Sequence, residues 1–256
     1  TRDGVFLASY TKGKHEFLGR VTAILGARQI KAEIAEVLAL AARGPDGADA
    51  WWSSASLAGL GQGLKQGRAE QIRLDRSSER TLFRLIASSS AQVAAAALDL
   101  ADSILLADSP TLRRLVRGAV EASSRELEST SRINAVRVMA LDPTDSTIPA
   151  LDHLLGPQEA AEIQIAAVEA LLKNGNSRVV TLLVKKWRSY TEAVRKVVWD
   201  GLLARKAFMK TLLDGIGDET VPAWTVSRPR VNQLLQSPDD EIRRRAEILF
   251  CNLPHG

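Results

Sequence analysis

The sequence predicts an all-α protein built as a right-handed α-α superhelix, in which successive helix pairs stack into an α-solenoid. Two observations favour this fold. Helical periodicity recurs from about Glu16 to Phe250 without the apolar–polar alternation of strands. A short motif also recurs four times in the C-terminal half. We expect one domain over residues 1–256, irregular over residues 1–14, with the repeats clearest over residues 125–252.

In the N-terminal half, apolar spacing and cap residues predict the helices one by one. Residues 30–42, IKAEIAEVLALAA, place five apolar side chains on one helix face: Ile30, Ile34, Val37, Leu38 and Ala41. The turn sequence PDGAD follows shortly afterwards. Further helices are predicted over residues 51–65, 79–88, 90–107 and 110–123. The last of these has Ser109 as its N-cap and Pro110 as its first residue.

The repeated motif has the same residue chemistry at three positions. Its four copies are SRINAVRVM, IQIAAVEAL, VRKVVWDGL and IRRRAEILF. The second position is arginine or glutamine in each copy: Arg132, Gln164, Arg195 and Arg243. Three places later stands a small or β-branched residue: Ala135, Ala167, Val198 and Ala246. Each copy ends on a large apolar residue: Met139, Leu171, Leu202 and Phe250.

The spacing of the motif fits one antiparallel helix pair per repeat. The arginine or glutamine positions are 32, 31 and 48 residues apart. Candidate first helices, IPALDHLL, RVVTLLVKKW and RVNQLL, precede the last three copies, and the longest spacing leaves room for one more helix, KAFMKTLLDGI, and a loop around Pro222. Because a single amphipathic pair cannot bury its apolar stripe, neighbouring pairs must stack. The HEAT or armadillo class of solenoid fits this pattern best, and in such repeats we expect Arg132, Arg195 and Arg243 to bond within the stack.

The glycine-rich stretch LAGLGQGLKQG, residues 57–67, is not predicted to bind a phosphate. A dinucleotide fingerprint needs a strand before its glycines and the spacing GxGxxG, whereas WWSSAS precedes these glycines and their spacing is GxGxG. No Walker lysine–serine pair follows them. We therefore interpret Gly59, Gly61 and Gly63 as positions of close helix packing, with Gly67 ending the helix.

Catalytic and metal-binding patterns are not evident in the sequence. The three histidines, His15, His153 and His255, do not share a helix turn, and the single cysteine, Cys251, is interpreted as a packing residue rather than a nucleophile. Carboxylates alternate with basic residues, so no acid–base pair can be singled out. We expect no catalytic residue, no metal ligand and no cofactor in this chain.

Basic clusters carry the only candidate interaction surface. With a net charge of +4 and an isoelectric point near 9.4, the chain tolerates an acidic partner. The segment KKWR combines charge with an aromatic ring, and its residues form the candidate surface: Lys185, Lys186, Trp187 and Arg188. Further clusters are Arg113, Arg114 and Arg117, and Arg243 to Arg245. Neighbouring acidic residues favour solvated faces and ion pairs between repeats over binding of nucleic acid at these clusters.

A DNA-binding solenoid is the alternative hypothesis. Helical solenoids can hold nucleic acid along a basic face, as the HEAT-like alkylpurine DNA glycosylases do. Their sites contain tryptophans and an aspartate, and Trp199–Asp200 resembles that pairing superficially. The favoured partners remain flanking domains of a parent chain or another protein.

Three segments of the C-terminal half, together with the earlier SLAGLGQGL, are similar to a helical region of large exported bacterial proteins. The segments are LDHLLGPQEAAEIQIAAVEALL, VVTLLVKKWRSYTEAVRKVVWDGLLAR and VNQLLQSPDDEIRRRAEILF. The family is that of planctomycete-type membrane-bound dehydrogenases with haem-binding CxxCH modules. The resemblance implies a helical spacer between a β-propeller and a c-type cytochrome in an exported protein. Cys251 and His255 have the outer spacing of CxxCH, but Pro254 replaces its second cysteine, so no redox residue carries over.

These observations together predict a non-catalytic scaffold or protein-interaction module. The chain starts at Thr1 without a signal-peptide pattern, and we interpret it as a processed protein or a piece of a longer one. No apolar run is long enough for a membrane span, so we expect no membrane insertion of this segment.

Overall fold

The protein is all-helical in the parts that the computed structural model describes, which are residues 10–43, 51–67, 71–124, 127–142 and 144–250. These residues form fourteen α-helices and two short 3-10 segments. The β pairing among them is one isolated parallel bridge between Ile72 and Ile104, and they contain no strand. The predicted all-α class is therefore confirmed. The chain divides into two compact units, Thr1–Asp142 and Pro143–Gly256.

The first unit contains seven helices in its described residues, and their contacts alternate along the chain. The odd-numbered helices pack on one another, α1 on α3, α3 on α5 and α5 on α7, while α2 packs on α4 and α4 on α6. This alternation is typical of helix pairs that share one core. The bounds are α1 Lys12–Arg28, α2 Lys31–Ala41, α3 Trp51–Gln66, α4 Arg76–Ile86, α5 Ala91–Ala101, α6 Pro110–Ser123 and α7 Ser129–Met139.

Helix boundaries in this unit are close to the predicted ones, with differences in α2, α4 and α5; α4 spans Arg76–Ile86, whereas residues 79–88 are predicted. Helix α6 begins at Pro110, and the Ser109 hydroxyl accepts from the Leu112 amide at 3.2 Å, as its cap sequence predicts. Helix α5, predicted to reach residue 107, ends at Ala101. The following residues leave the helix because Ile72 bonds to the backbone of Ser103 and Leu105. Ile30, predicted on the buried face of α2, is instead its N-cap and is 41% exposed.

The glycines of α3 confirm the packing interpretation. A Cβ atom at Gly59 would lie 2.2 Å from the Gly19 carbonyl oxygen of α1, and one at Gly63 would lie 2.0 Å from the Ala23 carbonyl oxygen. A Cβ at Gly26 of α1 would in turn lie 2.4 Å from the Leu60 oxygen. The two backbones therefore touch, which only glycine permits at these positions. A Cβ atom at Gly61 would instead lie 3.5 Å from the Cα atom of Leu100 in α5, which is an ordinary contact distance.

The second unit contains the remaining seven helices. Each predicted first helix of a pair is present as α8, α10 or α13, and α12 is the additional helix that the longest spacing predicts. Helix α9 packs on α11, α10 on α12, and α12 on α14. The bounds are α8 Ile148–His153, α9 Ala161–Asn174, α10 Ser177–Lys185, α11 Glu192–Leu203, α12 Lys206–Gly217, α13 Arg228–Leu235 and α14 Asp240–Phe250, with 3-10 segments at Trp187–Ser189 and Ala223–Thr225.

The arginine or glutamine of the repeat motif makes the same kind of bond in all four copies. Each side chain reaches back to a backbone carbonyl at or just beyond the end of the preceding helix. The four bonds are Arg132 Nε to Ser123 O (3.0 Å), Gln164 Nε2 to Gly156 O (2.6 Å), Arg195 Nε to Trp187 O (3.3 Å) and Arg243 Nη1 to Ser237 O (3.1 Å). Carbonyls at a helix C-terminus lack intrahelical partners, and these side chains supply a donor there. The Gly156 and Trp187 carbonyls also accept a backbone N–H, from Glu159 and Tyr190. The predicted bonding of Arg132, Arg195 and Arg243 within the helix stack is confirmed inside each unit.

The other two motif positions are buried, as the repeat predicts. The small or β-branched residues have exposures of 7%, 0%, 0% and 0% for Ala135, Ala167, Val198 and Ala246. The closing residues, Met139, Leu171, Leu202 and Phe250, are buried too. The motif thus combines one donor for a carbonyl with two core positions on the same helix.

Candidate functional site

The predicted interaction surface at KKWR is largely taken up by contacts inside the second unit. Trp187 is fully buried, so the prediction that its ring belongs to a surface is wrong. Its Nε1 donates to Thr225 Oγ1 at 3.0 Å, and its ring meets that of Trp199 edge-to-face, with centroids 5.4 Å apart. In the sequence, an aromatic residue between charged residues suggests an exposed position. In the fold, Trp187 follows the C-terminal end of α10 and its ring is buried in the core.

The charged residues of the same segment differ in their availability. Lys186 lies 2.5 Å from the Asp152 carboxylate and donates to the Asp152 carbonyl at 2.8 Å. Arg188 donates to the Glu219 carbonyl at 3.0 Å. Lys185 is exposed. The interaction role of the two lysines and Arg188 stays a prediction, but two of these three charged side chains, Lys186 and Arg188, bond within the unit itself.

In the other two basic clusters, three of the six arginines are ion-paired: Arg113, Arg243 and Arg245. Arg113 pairs with Asp108, whose pKa the Arg113 guanidinium holds below its ordinary value. Arg243 pairs with Asp240 and Arg245 with Asp214 of α12. The glycosylase-like Trp199–Asp200 pair is also occupied, because Trp199 is buried against Trp187 and Asp200 pairs with Arg230. Exposed pairs of this kind add little stability, yet they neutralise the charge that nucleic acid would need.

A groove in the first unit offers the best-built binding surface in the described residues. It has a volume of about 620 Å³ and lies between α4, α5, α6 and α7. Its floor is formed by buried apolar side chains: Phe83, Ile86, Ala94, Ala119, Ala135 and Val138. We call it the α4–α7 groove. Its volume is within the range of ligand sites in proteins, and its apolar floor is what such sites usually have.

Small residues keep this groove open. Gly118 and Ala122 of α6, together with Ala91 of α5, line it. A Cβ atom at Gly118 would meet nothing within 4 Å, which means that this glycine faces empty space rather than a neighbouring helix. Gly118 therefore differs from Gly59 and Gly63, where the backbone of a neighbouring helix occupies the space that a side chain would take. Asn134 fixes the groove's far wall, because its side-chain nitrogen donates to the Ala91 carbonyl at 3.0 Å.

Three arginines stand at the edge of the α4–α7 groove. Arg80 and Arg84 lie one turn apart on α4, and Arg114 lies on α6; all three line the groove and are exposed. None of the lining residues is acidic. Within the described ranges, none of the three has an ion-pair partner, in contrast to Arg113, Arg137 and Arg245. The groove thus combines an apolar floor with an uncompensated positive edge.

The sequence analysis identified only one member of this site. Arg114 belongs to a cluster noted for its charge, but Arg80 and Arg84 stand among alternating serines and a glutamate and were not singled out. Arg80 and Arg84 are four residues apart and stand close to Phe83 and Ile86 in the sequence. From this pattern, a charged edge beside an apolar helix face could have been predicted. The groove itself depends on the angle between helices, which a sequence does not display.

A second concavity, of about 700 Å³, lies in the second unit beside Trp224, whose side chain is 83% exposed. Arg188 and Arg195 line it, but both bond to backbone carbonyls of that unit. Its cationic groups are therefore already used by the fold, and it is less suited to a charged ligand than the α4–α7 groove.

Metal-binding clusters and membrane-spanning helices are both absent from the described ranges. No group of three or more His, Cys, Asp or Glu residues lies there in an arrangement that could hold a metal ion. No helix in these ranges has the length and apolar character needed to cross a bilayer. Cys251 and His255 lie outside the residues that the structure describes.

Comparison with known proteins identifies no relative. No protein-family model matches the chain, and no curated protein or solved structure matches it significantly. The resemblance to a helical region of exported dehydrogenases is neither supported nor opposed by this result and stays a prediction.

Proposed function

We propose that the chain is a non-catalytic, HEAT-like α-solenoid that works as a protein-interaction module. The observation that carries this proposal is the α4–α7 groove, an open, apolar surface with a charged edge in a protein built of short packed helices. Grooves between helices bind protein segments by shape and apolar contact, which requires no catalytic group. The alternating helix contacts and the four equivalent side-chain-to-carbonyl bonds support the solenoid part of the proposal.

A displayed peptide library tests the proposed function. The purified 256-residue chain is panned against the library, with counter-selection on the variant Gly118→Trp. Residue 118 lines the groove, and a Cβ atom there would meet nothing within 4 Å, so a large side chain at this position is expected to occupy the groove. We expect one sequence class to be enriched on the native chain and lost on the variant. Enrichment that Gly118→Trp leaves unchanged, or no enrichment at all, would contradict the proposal for this groove.

The second candidate function, nucleic-acid binding, is favoured by the isoelectric point near 9.4 and by Arg80, Arg84 and Arg114, which have no ion-pair partner among the described residues. An apolar floor is not needed to bind phosphates, so we place this function second. Fluorescence anisotropy with duplex DNA at low and moderate salt distinguishes the two. Tight binding that weakens steeply with salt supports the DNA function. Absence of binding at moderate salt excludes it.

A placement within an exported redox protein is the third part of the proposal. It is supported only by the resemblance of the helical segments to the planctomycete-type dehydrogenases. Sequencing the gene on both sides of this segment tests it. A signal peptide and propeller upstream with CxxCH downstream agree with a spacer role, whereas a start codon before Thr1 and a stop codon after Gly256 contradict it. We expect the isolated chain to oxidise no sugar and to bind no haem covalently.

A further inference from the structure

We infer that the α4–α7 groove binds an acidic amphipathic helix of a partner protein, with Arg80, Arg84 and Arg114 selecting its acidic residues. This inference rests on the proposed protein-binding function and specifies the chemistry of the partner.

The charge of the groove is complementary to carboxylates. Three arginines and no acidic residue line it, and none of the three arginines has an ion-pair partner in the described parts of the chain. Two other arginines of the same unit are ion-paired, Arg113 with Asp108 and Arg137 with Asp99. Arginine binds carboxylates with two parallel hydrogen bonds, which makes it suited to selecting Glu or Asp on a bound segment.

The floor requires an apolar face on the same ligand. Phe83, Ile86 and Val138 lie below the edge arginines and are buried or nearly so. A purely ionic ligand would leave this floor against water, whereas an amphipathic helix places apolar side chains at i, i+3, i+4 and i+7 on the floor and carboxylates beside them.

The walls favour a helix over an extended peptide. The α4, α6 and α7 walls have backbone groups that are already bonded within those helices. An extended peptide would bring unpaired N–H and C=O groups against them, whereas a helix satisfies its own backbone. The small residues Gly118, Ala119 and Ala122 of α6 give one wall a low profile along which a second helix can lie.

The test uses the whole chain and three labelled synthetic peptides of equal length. The first is an amphipathic helix with leucines on one face and glutamates flanking them, the second is its scrambled form, and the third carries lysine in place of glutamate. We expect the acidic helix to bind at least about tenfold more tightly than either of the others, a difference typical of charge complementarity at an interface. Equal binding of the scrambled or lysine peptide overturns the inference.

Charge reversal at the edge sharpens the test. The triple variant R80E/R84E/R114E is expected to weaken binding of the acidic helix by about tenfold or more and to strengthen binding of the lysine helix. The matched control is Arg117→Glu, on α6 but outside the groove, which should change the affinity less than about twofold. Far-UV circular dichroism and the urea midpoint verify that each variant is folded. Unchanged peptide preference in a folded triple variant overturns the inference.

Blocking the groove separates this inference from the proposed function. Gly118→Trp should abolish binding of the acidic helix, while Gly13→Trp, at another glycine whose side chain would meet nothing within 4 Å, should not. If library peptides depend on an open groove but ignore the arginines, the protein-binding function stands and the acidic-helix inference fails. If duplex DNA or anionic vesicles bind and the acidic helix does not displace them, the inference also fails.

Discussion

Two helix contacts, one in each compact unit, are built in opposite ways. In the first unit, α1 and α3 meet through backbone atoms at Gly59, Gly63 and Gly26, and no large side chain separates them. In the second unit, the core is built on large rings, with Trp187 and Trp199 packed edge-to-face and both buried. A contact made of small residues is damaged by adding atoms, whereas one made of large residues is damaged by removing them. The same all-α class therefore contains two different sensitivities to mutation.

The largest effect should come from removing the central ring of the second unit. Trp187→Ala deletes a fully buried side chain and its bond to Thr225, and we expect the free energy of unfolding to fall by about 3–5 kcal/mol. Urea unfolding followed by circular dichroism measures this. The control is Trp224→Ala, at a tryptophan that is 83% exposed, which should change stability by less than about 0.5 kcal/mol. Similar costs for both variants would refute the ring-based core.

The next largest effect tests the backbone contact of the first unit. In Gly63→Ala the added Cβ would lie 2.0 Å from the Ala23 oxygen, so α1 and α3 must separate, and we expect a loss of about 2–3 kcal/mol. Gly61→Ala is the matched control, because it makes the same substitution on the same helix. Its Cβ would lie 3.5 Å from Leu100, and it should be neutral or stabilising because alanine favours helix by about 1 kcal/mol over glycine.

Hydrogen exchange then shows whether the two sensitivities are local. Gly63→Ala should speed amide exchange in α1 and α3, and Trp187→Ala should speed it in α10 and α11. Equal acceleration throughout the chain for either variant would mean that the units do not differ in the way proposed.

A smaller effect concerns the side-chain-to-carbonyl bonds that both units share. Arg195→Met keeps the aliphatic stem but loses the bonds to the Trp187 and Arg188 carbonyls, and we expect a loss of about 1.5 kcal/mol. Arg195→Gln places at residue 195 the donor that the equivalent Gln164 uses, and it should retain more stability than Arg195→Met. Equal losses for the two variants would argue against a donor role. The urea midpoint measures both.

The smallest effect at neutral pH is expected at Tyr190. Its hydroxyl is buried, and no hydrogen-bond partner for it exists among the described residues. Tyr190→Phe removes this unpaired group and should raise the free energy of unfolding by about 1 kcal/mol. The exposed Tyr10 provides the control, since Tyr10→Phe removes a hydroxyl that is not buried and should leave stability almost unchanged.

The pH dependence of the free energy of unfolding provides a second test of Tyr190, with a larger expected effect. Burial, and after it the Asp152 carboxylate, raises the pKa of Tyr190 above its ordinary value. The unfolded chain therefore loses this proton near pH 10 while the folded chain keeps it, so the free energy of unfolding falls as the pH rises past about 10. The stability gap between Tyr190→Phe and the native chain should widen from about pH 9 to about pH 11. A constant gap would contradict the raised pKa.

Several features were predictable because they depend on residues close in the chain. The Ser109–Pro110 cap, the additional helix over Lys206–Gly217 and the carbonyl bonds of the motif arginines follow from local spacing. The end of α5 at Ala101 was not predictable in this way, because its terminating bridge joins Ile72 to Ile104. The surface role given to Trp187 was wrong for a related reason, since its burial depends on Thr225 and Trp199 from other elements.

The sequence by itself determined the all-α class, the repeated helix motif and the identity of the glycines as packing residues, since these depend on periodicity and on residue size. Only the tertiary structure decided which arginines of the described residues form ion pairs. Arg113 and Arg114 are adjacent in the chain, yet the first pairs with Asp108 and the second lines the α4–α7 groove. The physical reason is that a charge becomes available only where the packing of helices leaves no carboxylate within reach, and that distance is set by the fold.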